Sequence, residues 1–116
     1  MRAVSVKEWE LLSLFEVEPQ LREPGECWDA NDAVYVVVQG EIKLSFAISP
    51  LHRDVRIIVT HRDQRLYELN TMSVLDVRYR EEGLRETLEI ILTGRDTITL
   101  RVKPRIELEH DLAPGE

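Results

Sequence analysis

Asp29 and Asp32 flank a turn-forming stretch beside Trp28, and a pair of carboxylates is the simplest equipment for acid–base chemistry. Such a pair works only when a third group sets the two carboxyls apart, and no basic or histidine side chain stands near them in the sequence. Aspartate and asparagine are also preferred turn formers, so Asp29-Ala30-Asn31-Asp32 reads first as a turn. An enzymatic reading would rest on these two carboxylates alone. His52, His61 and His110 fall in a loop, a hairpin turn and a tail, with no metal-ligand spacing between any two. Cys27 is the single cysteine, which rules out an internal disulfide and a thiol pair for zinc or redox work. There is no HExxH, no GxSxG and no glycine-rich phosphate loop. The expectation is a chain without catalytic residues, metal or cofactor.

Charge is the stronger signal. The net charge is −7, and the residues up to Asp32 hold eight acidic side chains against three basic ones, so −5 of it belongs there and only −2 to the rest. A negative field disfavours nucleic acid and anionic membrane and speeds encounter with a basic protein. Glu18, Glu23, Glu26, Asp29 and Asp32 are the candidate partner-binding carboxylates, able to steer and pair with a basic surface. Trp28 lies among them. It suits either an interface anchor with an acidic rim or a plug over the open end of a sheet. The basic residues Arg53, Arg56, Arg62 and Arg65, with Arg78 and Arg80 on a later strand, make a cluster around one hairpin. Single-stranded nucleic acid would also need exposed aromatics for stacking, and only Tyr67 and Tyr79 are near. Cross-strand pairing with Glu68, Asp76 and Glu86 is the expected use of the cluster.

These residues need elements to hold them. Ser5 with Glu8 forms a capping box, and Val4 with Trp9 a hydrophobic staple, so a helix is predicted over 6–15 with Trp9, Leu12 and Phe15 on its apolar stripe and Leu11 alongside. Pro19 stops it. An acidic loop follows over 16–32, turned by Pro24-Gly25. From 33 to 109 the chain alternates apolar and polar residues between short turns, which predicts antiparallel strands. Ala33–Gln39, apolar at nearly every position, reads as a central strand covered on both faces. The last run keeps one phase through Ile98, Leu100, Val102, Ile106 and Leu108, across Pro104. A straight strand of that length would span about 40 Å, so a kink or bulge is predicted at Lys103-Pro104-Arg105. Residues 110–116 have the composition of a tail.

The fold class is therefore α+β and mostly β: an antiparallel meander of about seven strands with one short N-terminal helix, as a curved sheet, sandwich or half-barrel. A single domain over 1–116 is expected. No segment approaches the roughly 18 apolar residues of a membrane span, and Met1–Glu18 lacks the basic and apolar runs of a secretory signal, which favours the cytoplasm. A meander also leaves an edge strand open to pair two copies into a homodimer.

Three segments, Glu10-Leu11-Leu12-Ser13-Leu14-Phe15-Glu16-Val17-Glu18-Pro19, Gly40-Glu41-Ile42-Lys43-Leu44-Ser45-Phe46 and Leu100-Arg101-Val102-Lys103-Pro104, resemble small acidic β-rich bacterial immunity proteins of toxin–immunity systems. The resemblance implies a cytoplasmic, non-enzymatic protein that binds a cognate toxin with a basic surface, covering its active site or blocking its substrate cleft. It assigns no role to any single residue. From the alternating strands themselves an alternative stands beside it: a small-ligand carrier or sensor, in which the sheet curls into a barrel around an apolar pocket.

Overall fold

The computed structural model describes residues 3–112. Its chain runs through a helix α1 (Glu8–Phe15) and nine strands: β1 (Gln20–Leu21), β2 (Ala33–Gln39), β3 (Ile42–Ser49), β4 (Asp54–His61), β5 (Gln64–Thr71), β6 (Asp76–Glu82), β7 (Arg85–Ile91), β8 (Thr97–Arg101) and β9 (Glu107–Asp111). They form two sheets, one ordered β1-β2-β3-β4-β5 and the other β6-β7-β8-β9, every pairing antiparallel. Within each sheet, strands consecutive in sequence pair with each other, and the short link between Thr71 and Asp76 carries the chain from one sheet to the other.

Alternation decides what each sheet buries. On β3, Leu44, Phe46 and Ile48 point inward and have no exposed surface, while Phe46 stands opposite Tyr35 on β2 and Ile57 on β4. The second sheet sends Val77, Leu88, Ile90, Ile98 and Leu100 into the same apolar cluster, which Leu11, Leu14 and Phe15 of α1 complete. Each such large aliphatic or aromatic side chain contributes about 1.5–3 kcal/mol by leaving water. The two sheets share one core, and among the described residues no strand pairing between them closes a barrel. Where a carrier would keep a cavity, Leu44, Phe46, Ile48, Leu88 and Ile98 fill the space.

Nine strands replace seven for two reasons. The two-residue β1 lies inside the predicted acidic loop and pairs Leu21 with Ala33. The final run does not bend onward at Pro104; after the cis Lys103–Pro104 peptide it turns back, so that β9 pairs with β8. Its phase survives the reversal because residues opposite each other on paired strands share a face, as Leu100 and Leu108 do. His110 and Asp111 thus belong to a strand rather than a tail, and residues 113–116 of that predicted tail lie outside the described residues. Gln39 ties the turn down, its amide donating to the Val102 carbonyl at 2.6 Å and accepting from the Ile106 N–H at 2.8 Å.

The helix also differs in detail. Its N-cap is Lys7, whose backbone N–H is taken by Glu10 at 2.7 Å. Ser5 is drawn away to Asp76 on β6, donating its N–H at 2.7 Å and its hydroxyl at 2.6 Å. The chain leaves the helix at Glu16, in the left-handed region at φ 56°, before Pro19 is reached. The buried stripe is Leu11, Leu14 and Phe15, whereas Trp9 is 64% and Leu12 37% exposed. Spacings of three and four favour both stripes, and the position of the sheets selects between them. On β2, Ala33 and Tyr35 are buried but Val38 is 63% exposed, so this strand is not covered on both faces.

Candidate partner-binding surface

The loop between α1 and β2 is held by one buried amide. Asn31 is 3% exposed, and its side chain donates to the carbonyls of Glu23 at 2.7 Å and Glu26 at 3.3 Å. Its oxygen accepts from the backbone N–H groups of Glu23 at 3.0 Å and Asp32 at 3.2 Å. A buried amide with all these contacts satisfied fixes the loop in one conformation. Trp28 begins a single 3₁₀ turn (Trp28–Ala30) and is buried, its indole N–H donating to the Tyr35 hydroxyl at 2.8 Å. The phenol stacks on Phe15 with centroids 5.1 Å apart. Burial pushes the Tyr35 phenol up to about 12, with the Trp28 bond opposing and the Glu8 carboxylate adding to the rise.

The six sequence candidates separate into two groups. Glu18, Glu23, Glu26 and Asp29 are exposed, and among the described residues none of them makes an ion pair. Trp28 is closed off as a plug, so the exposed anchor expected of it is not on this surface. Asp32 is engaged: Arg56 Nη2 lies 2.6 Å from both carboxylate oxygens, and Ser49 donates to it at 3.2 Å. No basic neighbour was visible in sequence because Arg56 arrives from β4. Asp32, Glu23 and Asn31 line one shallow cleft of about 190 Å³, which His52 also reaches. Asn31 and Tyr35 are the residues that sequence reasoning passed over. Tyr35 had a signal, since an inward-facing hydroxyl must find a partner.

A second polar network fastens α1 to the other sheet. Glu86 on β7 accepts from Ser13 at 2.6 Å, Tyr79 at 2.5 Å and Lys103 at 2.6 Å, while Lys103 also donates to the Ser13 carbonyl at 2.9 Å. Burial pushes the Glu86 carboxyl up, yet the bonds from Lys103, Ser13 and Tyr79 together outweigh it and hold it below the ordinary range. The same contact raises Lys103, and burial with Glu86 lifts the Tyr79 phenol to about 12. Asp76 is likewise held low, burial being outweighed by the two bonds from Ser5 and those from Arg78 and Val77.

The basic cluster is spent on pairs. Arg62 meets Glu41 at 2.7 Å, Arg65 meets Glu68 at 2.7 Å, and Arg78 meets Asp76 at 3.2 Å. Arg80 bridges Glu82 at 3.0 Å and Glu89 at 3.2 Å, and Arg53 donates to the carbonyls of Val74 and Leu75. Glu68 and Asp76 are the partners expected for it, whereas Glu86 goes to Lys103 instead. Most of the positive charge on this face is therefore paired locally, whereas Glu18, Glu23, Glu26 and Asp29 on the loop are not.

No protein-family model matches the sequence, and no curated protein matches it. Among solved structures, the chain is similar to one described as a contact-dependent growth inhibition toxin–immunity protein complex from Klebsiella pneumoniae 342. The TM-score is 0.79 at 19% identity, over 97% of this chain and 100% of that one. At this identity the likeness is one of fold, and it extends over nearly the whole chain. Among the described residues no helix is long and apolar enough to cross a membrane, and no cluster of His, Cys, Asp and Glu could hold a metal ion.

Away from the loop lies an open apolar groove of about 600 Å³, between the turn end of β8–β9 and strand β5. Ile42, Val59, Leu66, Tyr67, Ile106 and Leu108 line it. Leu66 is aimed there by a bulge in the β4–β5 pairing, where the register skips from Thr60–Arg65 to Val59–Tyr67.

Proposed function

We propose that this chain is a non-enzymatic immunity protein of the bacterial cytoplasm that neutralises a cognate toxin by binding it directly. The observation that carries the reading is the loop itself: Glu18, Glu23, Glu26 and Asp29 are exposed, without internal cations, on a backbone fixed by Asn31 and Trp28. Fixed carboxylates lose little freedom on binding, and their field draws in a basic partner before contact. Asp32, tied to Arg56, serves by holding the loop against the sheet, and Trp28 by supporting it from below. The fold shared with a chain of a toxin–immunity complex supports the same reading.

Co-expression tests it. A toxin domain encoded in the neighbouring reading frame should arrest growth alone and be silenced by this chain. Lysine substitution of Glu23, Glu26 and Asp29 together should slow association about tenfold at low salt, with the gap closing as salt rises. Association of the triple variant at the wild-type rate would remove the loop from the interface.

A further inference from the structure

Trp9 is a large side chain that folding leaves outside, 64% exposed on the face of α1 away from the buried stripe. Its position is nevertheless defined. The indole meets Tyr79 edge-on, with centroids 6.4 Å apart and planes at 66°, and Tyr79 is itself held by Glu86 at 2.5 Å. Leu12, one turn along and 37% exposed, lengthens the apolar strip. Glu8 adjoins Trp9 and makes no ion pair among the described residues, whereas Glu16, two turns on with its side chain 61% exposed, is already met by Lys103 at 3.6 Å. On the sheet side of Tyr79, Arg78 and Arg80 are occupied by Asp76, Glu82 and Glu89, so the unbalanced charge around the strip is negative. The segment leading into the helix is tied toward the Trp28 turn, since the Val4 N–H donates to the Pro50 carbonyl at 3.2 Å and the Leu51 N–H to the Asp29 carbonyl at 3.2 Å.

We propose that Trp9 is the anchor by which this chain docks its toxin, the indole entering an apolar pocket ringed by lysine and arginine while Glu8 meets the ring. The proposal rests on the immunity reading and adds the residue that holds the complex together. Tryptophan is among the residues enriched at interface hot spots, which sit inside a polar rim. A second copy of the chain fits the strip poorly, because two copies packed strip to strip would bring their Glu8 carboxylates together. Three side chains also fall well short of the roughly 800 Å² per partner that a stable dimer buries.

The test uses the full chain grown with 5-fluorotryptophan, whose two indoles give two fluorine resonances assigned through Trp9→Phe. On adding the unlabelled toxin domain from the neighbouring reading frame, the Trp9 resonance should shift and lose its response to D2O, while that of Trp28 stays. Trp9→Ala should melt as wild type and bind about 30-fold more weakly. If the toxin domain binds wild type and Trp9→Ala equally and the Trp9 resonance does not move, the anchor is refuted and the immunity reading stands. If wild type binds no toxin domain, that reading fails and the anchor falls with it.

Discussion

At the scale of single residues, one buried and one half-buried polar side chain decide how the N-terminal third is held: Asn31 closes the loop on itself, and Glu86 receives the helix. Glu86 has its carboxyl held below the ordinary value of 4.5, so its bonds stabilise the fold fully above that value and are lost as pH falls through the lowered one. Asp76 acts in the same direction. Acid unfolding should therefore begin below the ordinary carboxylate range, and Glu86→Gln should flatten the slope of stability between neutral and acid pH. Denaturant midpoints across that range would check it; an unchanged slope would mean that Glu86 is not linked to folding. At the alkaline end the sign reverses, because the raised Tyr79 phenol and Lys103 ammonium support the network until they lose their protons, for Tyr79 near 12. The residues of this network were individually visible in the sequence. Their meeting was not, since Ser13 and Glu86 are 73 positions apart.

The helix shows the same limit at the scale of an element. Its existence and approximate span followed from apolar residues at helical spacing, but Trp9, Leu12 and Phe15 fit that spacing as well as Leu11, Leu14 and Phe15 do. The gap between β2 and β7, which the helix spans, decides which stripe is buried. Leu14→Ala should accordingly cost about 2–5 kcal/mol, as expected for a cavity in a packed core, and Leu12→Ala less than about 1 kcal/mol. Thermal denaturation of the two variants compares them directly. Similar losses would show that the two stripes are not divided as described. Strands were more legible than the helix because a period of two admits only two phases, and the buried one is marked by Leu, Ile, Val and Phe. The last strand was the exception. A phase that runs unbroken across Pro104 is equally consistent with a bent strand and a hairpin, and the Leu100–Leu108 pairing chose the hairpin.

For the whole molecule, folding and recognition draw on different forces. One apolar core spanning both sheets carries stability, and the surface ion pairs contribute between nothing and about 1 kcal/mol each. Raising ionic strength from millimolar to molar should leave the unfolding midpoint little changed while slowing toxin association by about tenfold or more. Stopped-flow association and denaturation in the same buffers would separate the two. A large loss of stability with salt would place the ion pairs in the fold's main support instead. The sequence by itself determined that this is a mostly β chain of short antiparallel strands with one helix and an acidic N-terminal third. Residue alternation, turn chemistry and charge are local properties and need no knowledge of what lies opposite. Tertiary structure alone decided that the strands divide into two sheets and that Trp28 is covered while Trp9 is open. It also decided that Asp32 is taken by Arg56 and its acidic neighbours are left free. Those outcomes depend on which distant residues meet to satisfy buried hydrogen bonds and fill one core, and no local pattern records that.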